Sequence, residues 1–136
     1  FILGVKTMKI GEYFDDYEFA CHCERHEVDE NGRNKLDHII DKRLVDVLDK
    51  IRERLGVPVT INSGYRCPKH NEEVGGVKNS YHTQGVAADI TYDGIDVDYL
   101  AQIAEECGAD GIGKYYYQDF VHVDVRGYEA RWSDMD

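Results

Sequence analysis

Apolar and polar positions along the chain fall into blocks of two different periods. Leu44, Val47, Leu48, Ile51 and Leu55 recur at i, i+3, i+4, i+7 and i+11, the stripe of one amphipathic helix. Asp41 is placed to cap it, Gly56 to close it and Pro58 to stop any continuation. Its outward face alternates Asp46, Asp49, Lys50 and Glu53, so it reads as scaffold. A second helix is predicted behind Asp96, with Val97, Leu100, Ala101, Ala104 and Cys107 inward and Gly108 at its end. A short third helix starts at Pro68, runs through Val74 and ends at Gly75 and Gly76.

Elsewhere the period is two. Residues 57–61 read as a strand, with Pro58 placing it at an edge or a strand start. Along 85–90, Val86, Ala88 and Ile90 point one way and Ala87 and Asp89 the other. Residues 111–117 form a predicted strand, Gln118 and Asp119 a tight turn, and 120–126 the antiparallel partner. In that partner Val121, Val123 and Val125 share the apolar face, while Phe120, His122 and Asp124 share the opposite one. Two strands that bury their valines in one core therefore present Asp89 and His122 on a common surface. The acidic and aromatic block 10–19 reads as a short helix or turn that lays Tyr13, Phe14, Tyr17 and Phe19 on the core. Residues 24–35, polar and carrying Asn31-Gly32, read as a mobile loop. Residues 77–81 read as a loop leading to His82, and the tail packs Trp132 on the body with 133–136 loose.

The chemistry concentrates on the same surface. His82 lies seven residues before Asp89, and His122 supplies a second imidazole. Two imidazole nitrogens and one carboxylate oxygen make a three-ligand shell with a fourth position for water, the catalytic rather than the structural zinc pattern. A single histidine is more often hydrogen-bonded in a core; the combination of His82, Asp89 and His122 points to ligation. Zinc, one ion per chain, is the expected metal, since this donor set suits its borderline softness.

Composition narrows the classes. At 136 residues the chain is long enough for one domain with a real core. Residues 1–8 read as an N-terminal extension and 9–136 as a single domain, expected as a monomer. The net charge of −11 argues against nucleic acid and against loose adhesion to anionic wall polymers. No segment approaches the ~20 apolar residues of a membrane span. The first seven residues are too short for a signal-peptide core and lack a basic leader, with Met8 a natural start. Cysteines stand at 21, 23, 67 and 107. Reduced, partly buried thiols or one loop-stapling disulfide are expected, in preference to a second metal site at Cys21-His22-Cys23 with His26.

Ser63-Gly64-Tyr65-Arg66, Asn71, Gly75-Gly76, Ser80-x-His82, Gly85-x-Ala87-x-Asp89, His122-x-Asp124 and Arg131-Trp132 together resemble the M15 peptidases, from about Phe14 to Trp132. That family includes D-Ala-D-Ala carboxypeptidases, dipeptidases and enzymes that cut peptidoglycan stem peptides. The resemblance implies an α+β hedgehog/DD-peptidase-like fold, a small antiparallel sheet carrying the metal ligands and flanked by the Leu44 and Val97 helices. It implies zinc-dependent hydrolysis of a stem-peptide bond, an open groove favouring an endopeptidase over a carboxypeptidase. Arg66 would then steady the oxyanion or a substrate carboxylate. Asp119, three residues before His122, occupies the place where a Glu often serves as general base, one methylene shorter here. Asp124 is expected to orient a ligand imidazole. Ser80 is expected to bond substrate backbone or fix the His82 loop, and Tyr65 to touch substrate or simply pack. Asn71, Gly75 and Gly76 read as architectural, and Tyr115, Tyr116 and Tyr117 alternate strand faces, so that at least one lines the groove. Action at the cell wall or outside the cell is implied, reached by lysis, as with phage enzymes, or by another export route. The rival reading is a non-catalytic zinc-binding module on the same scaffold.

Overall fold

The computed structural model describes residues 9–19, 21, 40–77 and 80–135. Helix α1 spans Lys42–Leu55, α2 Pro68–Glu73 and α3 Val97–Glu106. Strands β1 (Thr60–Ser63), β2 (Ala87–Thr91), β3 (Gly111–Tyr115), β4 (Phe120–Asp124) and β5 (Ala130–Ser133) form one sheet in the order β1-β2-β4-β3-β5. Two 3-10 turns, Asp16–Phe19 and Tyr81–Gln84, complete the described elements.

Helix ends follow local chemistry. The Asp41 carboxylate accepts from Arg43 N at 2.8 Å at the start of α1, and Gly56 ends it at φ 75°. Asp96 accepts from Tyr99 N at 3.1 Å ahead of α3. Pro68 opens α2, whose cap is the Cys67 sulfur, accepting from His70 N at 3.4 Å. The stripes of α1 and α3 pack with Ala88, Ile90, Val121 and Val123 into the main core. Phe14 and Phe19 close that core edge-to-face at 5.8 Å. The segment that carries them is pinned by Asp49, which accepts from Glu12 N at 2.9 Å and Tyr13 N at 3.1 Å.

Helices α1 and α3 cover one face of the sheet, and the other face carries the polar residues. Register decides which residues meet there. Asp89 pairs with His122, His122 with Gly113, and Gly113 with Trp132. Strand alternation keeps this row on the side away from the valine core. All pairings are antiparallel except β3 with β5, which run parallel.

Three expectations change. The first strand begins at Thr60 rather than at residue 57. The sheet is not wholly antiparallel, and the tail is not loose from 133: β5 runs through Ser133 and orders the Asp134 carboxylate, which accepts from Tyr116 N and Tyr117 N at 3.1 and 3.0 Å. Parallel pairing carries no local turn signal, so strand alternation could not announce it. The predicted loop at 24–35, the Cys21-His22-Cys23 group beyond Cys21, His26 and part of 77–81 lie outside the described residues.

Gly113 is small for a tertiary reason, because a Cβ there would collide with the Trp132 indole. Gly113→Ala should cost about 1–3 kcal/mol through overpacking. Because the chain has one tryptophan, chemical denaturation followed by its fluorescence reads both the loss and the displaced indole.

Candidate metal centre

His82 is delivered by the 3-10 turn Tyr81–Gln84. Ser80 Oγ accepts from His82 N at 3.2 Å at its start, and Gly85 leaves it at φ 73°. The ring is then fixed from behind: Nδ1 donates to Gly64 O at 2.9 Å. That acceptor is in place because Gly64 packs against the Phe19 backbone, where a Cβ would stand 2.7 Å from Phe19 Cα. Tyr65 N donates to Phe19 O at 2.8 Å in the same contact. With Nδ1 carrying the proton, Nε2 of His82 faces Asp89 Oδ1 at 3.3 Å.

His122 is the mirror case with the nitrogens exchanged. Its Nε2 donates to Asp124 Oδ2 at 2.7 Å, and its Nδ1 faces Asp89 Oδ1 at 3.2 Å. The two imidazoles meet edge-to-face with centroids 5.2 Å apart, and both are buried. Each ring therefore has one nitrogen occupied by a protein acceptor and the other turned to Asp89, the arrangement that prepares histidines for a metal.

The donor set fits zinc. Tetrahedral ligands about 2.0–2.2 Å from one ion stand roughly 3.3 Å from each other. The Asp89 oxygen lies 3.3 and 3.2 Å from the two free imidazole nitrogens, and one ligand atom from each of His82, Asp89 and His122 lies within 4.8 Å of the others. Among the described residues this is the one such cluster. Charge is balanced for a cation. Burial pushes the Asp89 carboxyl up, but the adjoining His122 and His82 imidazoles outweigh it and hold it well below the usual carboxylate range. Burial opposes a charge on His122, yet the Asp124 and Asp89 hydrogen bonds raise its pKa overall.

The cluster forms the floor of an open cleft of about 840 Å³. Arg66, Ser80, Tyr115, Gln118, Arg126 and Trp132 are among its walls. Arg66 is half-buried, its Nε has no hydrogen-bond partner among the described residues, and burial lowers its pKa while Asp89 opposes that shift. Asp124 is fully buried and accepts from Gly111 N at 3.0 Å as well as from His122. Burial pushes its carboxyl up, but the His122 and Arg126 hydrogen bonds prevail and hold it well below its ordinary value.

Other candidates are placed differently. Ser80 borders the cleft with its oxygen capping the His82 turn. Tyr65 is buried with Cys21 and Cys67 in a small separate cluster. Asp119 sits exposed on the β3–β4 turn at φ 56°, its carbonyl accepting from Thr91 Oγ1 at 2.9 Å, while its neighbours Gln118 and Phe120 line the cleft. Of the three consecutive tyrosines, Tyr115 is the one on the cleft wall, stacked on Phe120 at 4.4 Å and accepting from Trp132 Nε1 at 2.9 Å. Sequence reasoning missed Arg126 and the place of Trp132, whose indole lies 5.1 Å from the His122 ring. A signal for Arg126 existed: it extends the His122, Asp124 alternation by one more step.

Two buried imidazoles and a carboxylate, braced from behind and opening on a cleft, form a cluster able to hold a metal ion. The chain belongs to peptidase family M15, whose family model matches residues 12–124. It is 33% identical over 124 residues, 86% of this chain, to the peptidoglycan L,D-endopeptidase MepK of Escherichia coli strain K12. It is 36% identical over 89 residues, 63% of this chain, to the zinc D-Ala-D-Ala carboxypeptidase of Streptomyces albus G. The chain spans 60% of the length of the first of these and 35% of the second.

Zinc should raise the thermal midpoint, by about 2.7 kcal/mol of added stability at roughly 100 times Kd, and His82→Ala or His122→Ala should abolish the gain. The apparent affinity should fall as pH is lowered, because His122, with its raised pKa, holds a competing proton. Thermal denaturation with and without zinc reads the first effect, and titration calorimetry across a pH series reads the second.

Proposed function

We propose that this chain hydrolyses a peptide bond in peptidoglycan stem peptides with one zinc ion held by His82, Asp89 and His122. The observation that carries the reading is the ligand spacing of 3.2–3.3 Å, with both spare imidazole nitrogens already engaged. Zinc bound there supplies a Lewis acid for the scissile carbonyl and an acidified water. The remaining work belongs to side chains.

Arg66 presents a cation on the cleft wall in a chain of net charge −11. Arg66 borders the cleft that holds the cluster, so the acceptor proposed for its guanidinium is an oxygen of the substrate, either the developing oxyanion or a carboxylate. Asp119 is proposed as the group that takes and returns the proton. Of the acidic residues near the cleft, Asp89 faces both imidazoles and Asp124 is locked by His122 and Arg126. Asp119 is the one whose carboxylate makes no bond with the described residues. Ser80 holds the His82 turn, and Asp124 holds the His122 ring.

Endopeptidase action is favoured over carboxypeptidase action on two grounds. The cleft volume lies toward the upper end of the roughly 300–1,000 Å³ of ligand sites, room for several residues of peptide. The relative matched over more of this chain is an L,D-endopeptidase. The place of action follows from the substrate, the cell wall.

The reading is tested by zinc content together with digestion of purified peptidoglycan, the fragments being identified by mass spectrometry. Wild type should carry one zinc per chain and release new termini, and His122→Ala should do neither. Zinc without cleavage of wall or D-Ala-D-Ala peptide would make the chain a binding module. Asp119→Ala should keep zinc and lower kcat by about 10²–10⁴-fold; near-normal turnover removes Asp119 from the mechanism. Arg66→Ala should lower kcat by about 10²–10³-fold if it faces the oxyanion. A rise in KM alone assigns it to a ground-state carboxylate.

A further inference from the structure

Arg126 stands at the end of β4 with most of its side chain buried, 13% of it exposed, and it reaches groups on three other segments. Its Nε lies 3.0 and 3.1 Å from the two Asp124 oxygens, its Nη2 lies 2.7 Å from Oδ2, and its backbone N donates to Oδ1 at 3.1 Å. Its Cζ lies over the rings of Tyr81 at 4.3 Å, Trp132 at 5.1 Å and Tyr128 at 5.5 Å. Tyr81 immediately precedes His82, and the Tyr81 and Tyr128 hydroxyls are 2.9 Å apart. Trp132 in turn touches the His122 ring.

We propose that Arg126 is a positioning residue for the metal centre, clamping the His82 turn and the His122 strand so that their imidazoles keep the spacing a cation needs. The inference rests on the zinc reading above. One arm runs through Asp124. The guanidinium fork holds that carboxylate as an acceptor aimed at His122 Nε2, which turns Nδ1 toward Asp89. The other arm runs through Tyr81, whose ring rests on the guanidinium and carries the start of the His82 turn with it. A flat, forked cation does both at once; an ammonium keeps the charge but neither grips a carboxylate at two points nor stacks between rings.

The test uses zinc alone as the probe, in competition with a chromophoric chelator, on the full chain and on Arg126→Gln, Arg126→Lys and Tyr81→Leu. Arg126→Gln should weaken zinc binding about 10- to 100-fold, with Arg126→Lys in between. Tyr81→Leu, which leaves Asp124 and its partners in place, should also weaken binding. The visible spectrum of the cobalt(II)-loaded chain should change in each variant, a readout that a general loss of stability in a still-folded chain does not move. Unchanged affinity and cobalt spectra in folded Arg126 variants would overturn the clamp. If Arg126→Gln fails to fold, wild-type affinity and an unaltered spectrum in Tyr81→Leu overturn it equally. A wild type that takes up no zinc overturns the metal centre itself, and the clamp with it.

Discussion

The functional face depends on a single register, the pairing of Asp89 on β2 with His122 on β4. Because side chains alternate along a strand, a slip of β4 by one residue would send His122 into the valine core and bring a valine to the cleft. The register is enforced by that core: Ala88, Ile90, Val121 and Val123 are all fully buried beneath the helices. Hydrophobic burial, indifferent to chemistry, thus sets the geometry of a polar site on the other side of the same strands.

The same row extends across all five strands. Ser63 is opposite Asp89, Gly113 opposite His122 and Trp132 opposite Gly113. The neighbouring row places Ala87, Gly111 and Ala130 around Asp124. Large groups are therefore interleaved with small ones. The absence of a side chain at Gly111 leaves room for the buried carboxylate, and its absence at Gly113 leaves room for the indole. The imidazole nitrogens, their acceptors and the packing that steadies those acceptors form one continuous layer.

Much of this was legible in the sequence. The helices were readable because 3.6-residue stripes, Asp caps and closing glycines are local signals, and Asp41, Gly56 and Asp96 act where that chemistry puts them. The meeting of His82, Asp89 and His122 was readable because strand alternation and ligand chemistry agreed. Gly64 O behind His82, the parallel strand β5 and the Arg126 contacts were not, since each depends on an approach between segments distant in sequence. Asp124 stood between these cases. Its strand face suggested a partner for a histidine, but the burial that makes it a strong acceptor appears only once Gly111 and Arg126 close over it.

The supports of the two imidazoles come from far along the chain. His82 is held by Gly64, 18 residues away, and His122 meets Asp89 across 33 residues. Gly64 itself is seated on Phe19. Such a site has no local nucleus, because its loops must close before any ligand pair exists. An ion held there would be captured by an already collapsed chain, unlike a zinc finger, whose folding the metal drives. Zinc held there would therefore slow the escape from the native state and leave the search for it unchanged, a contribution to lifetime.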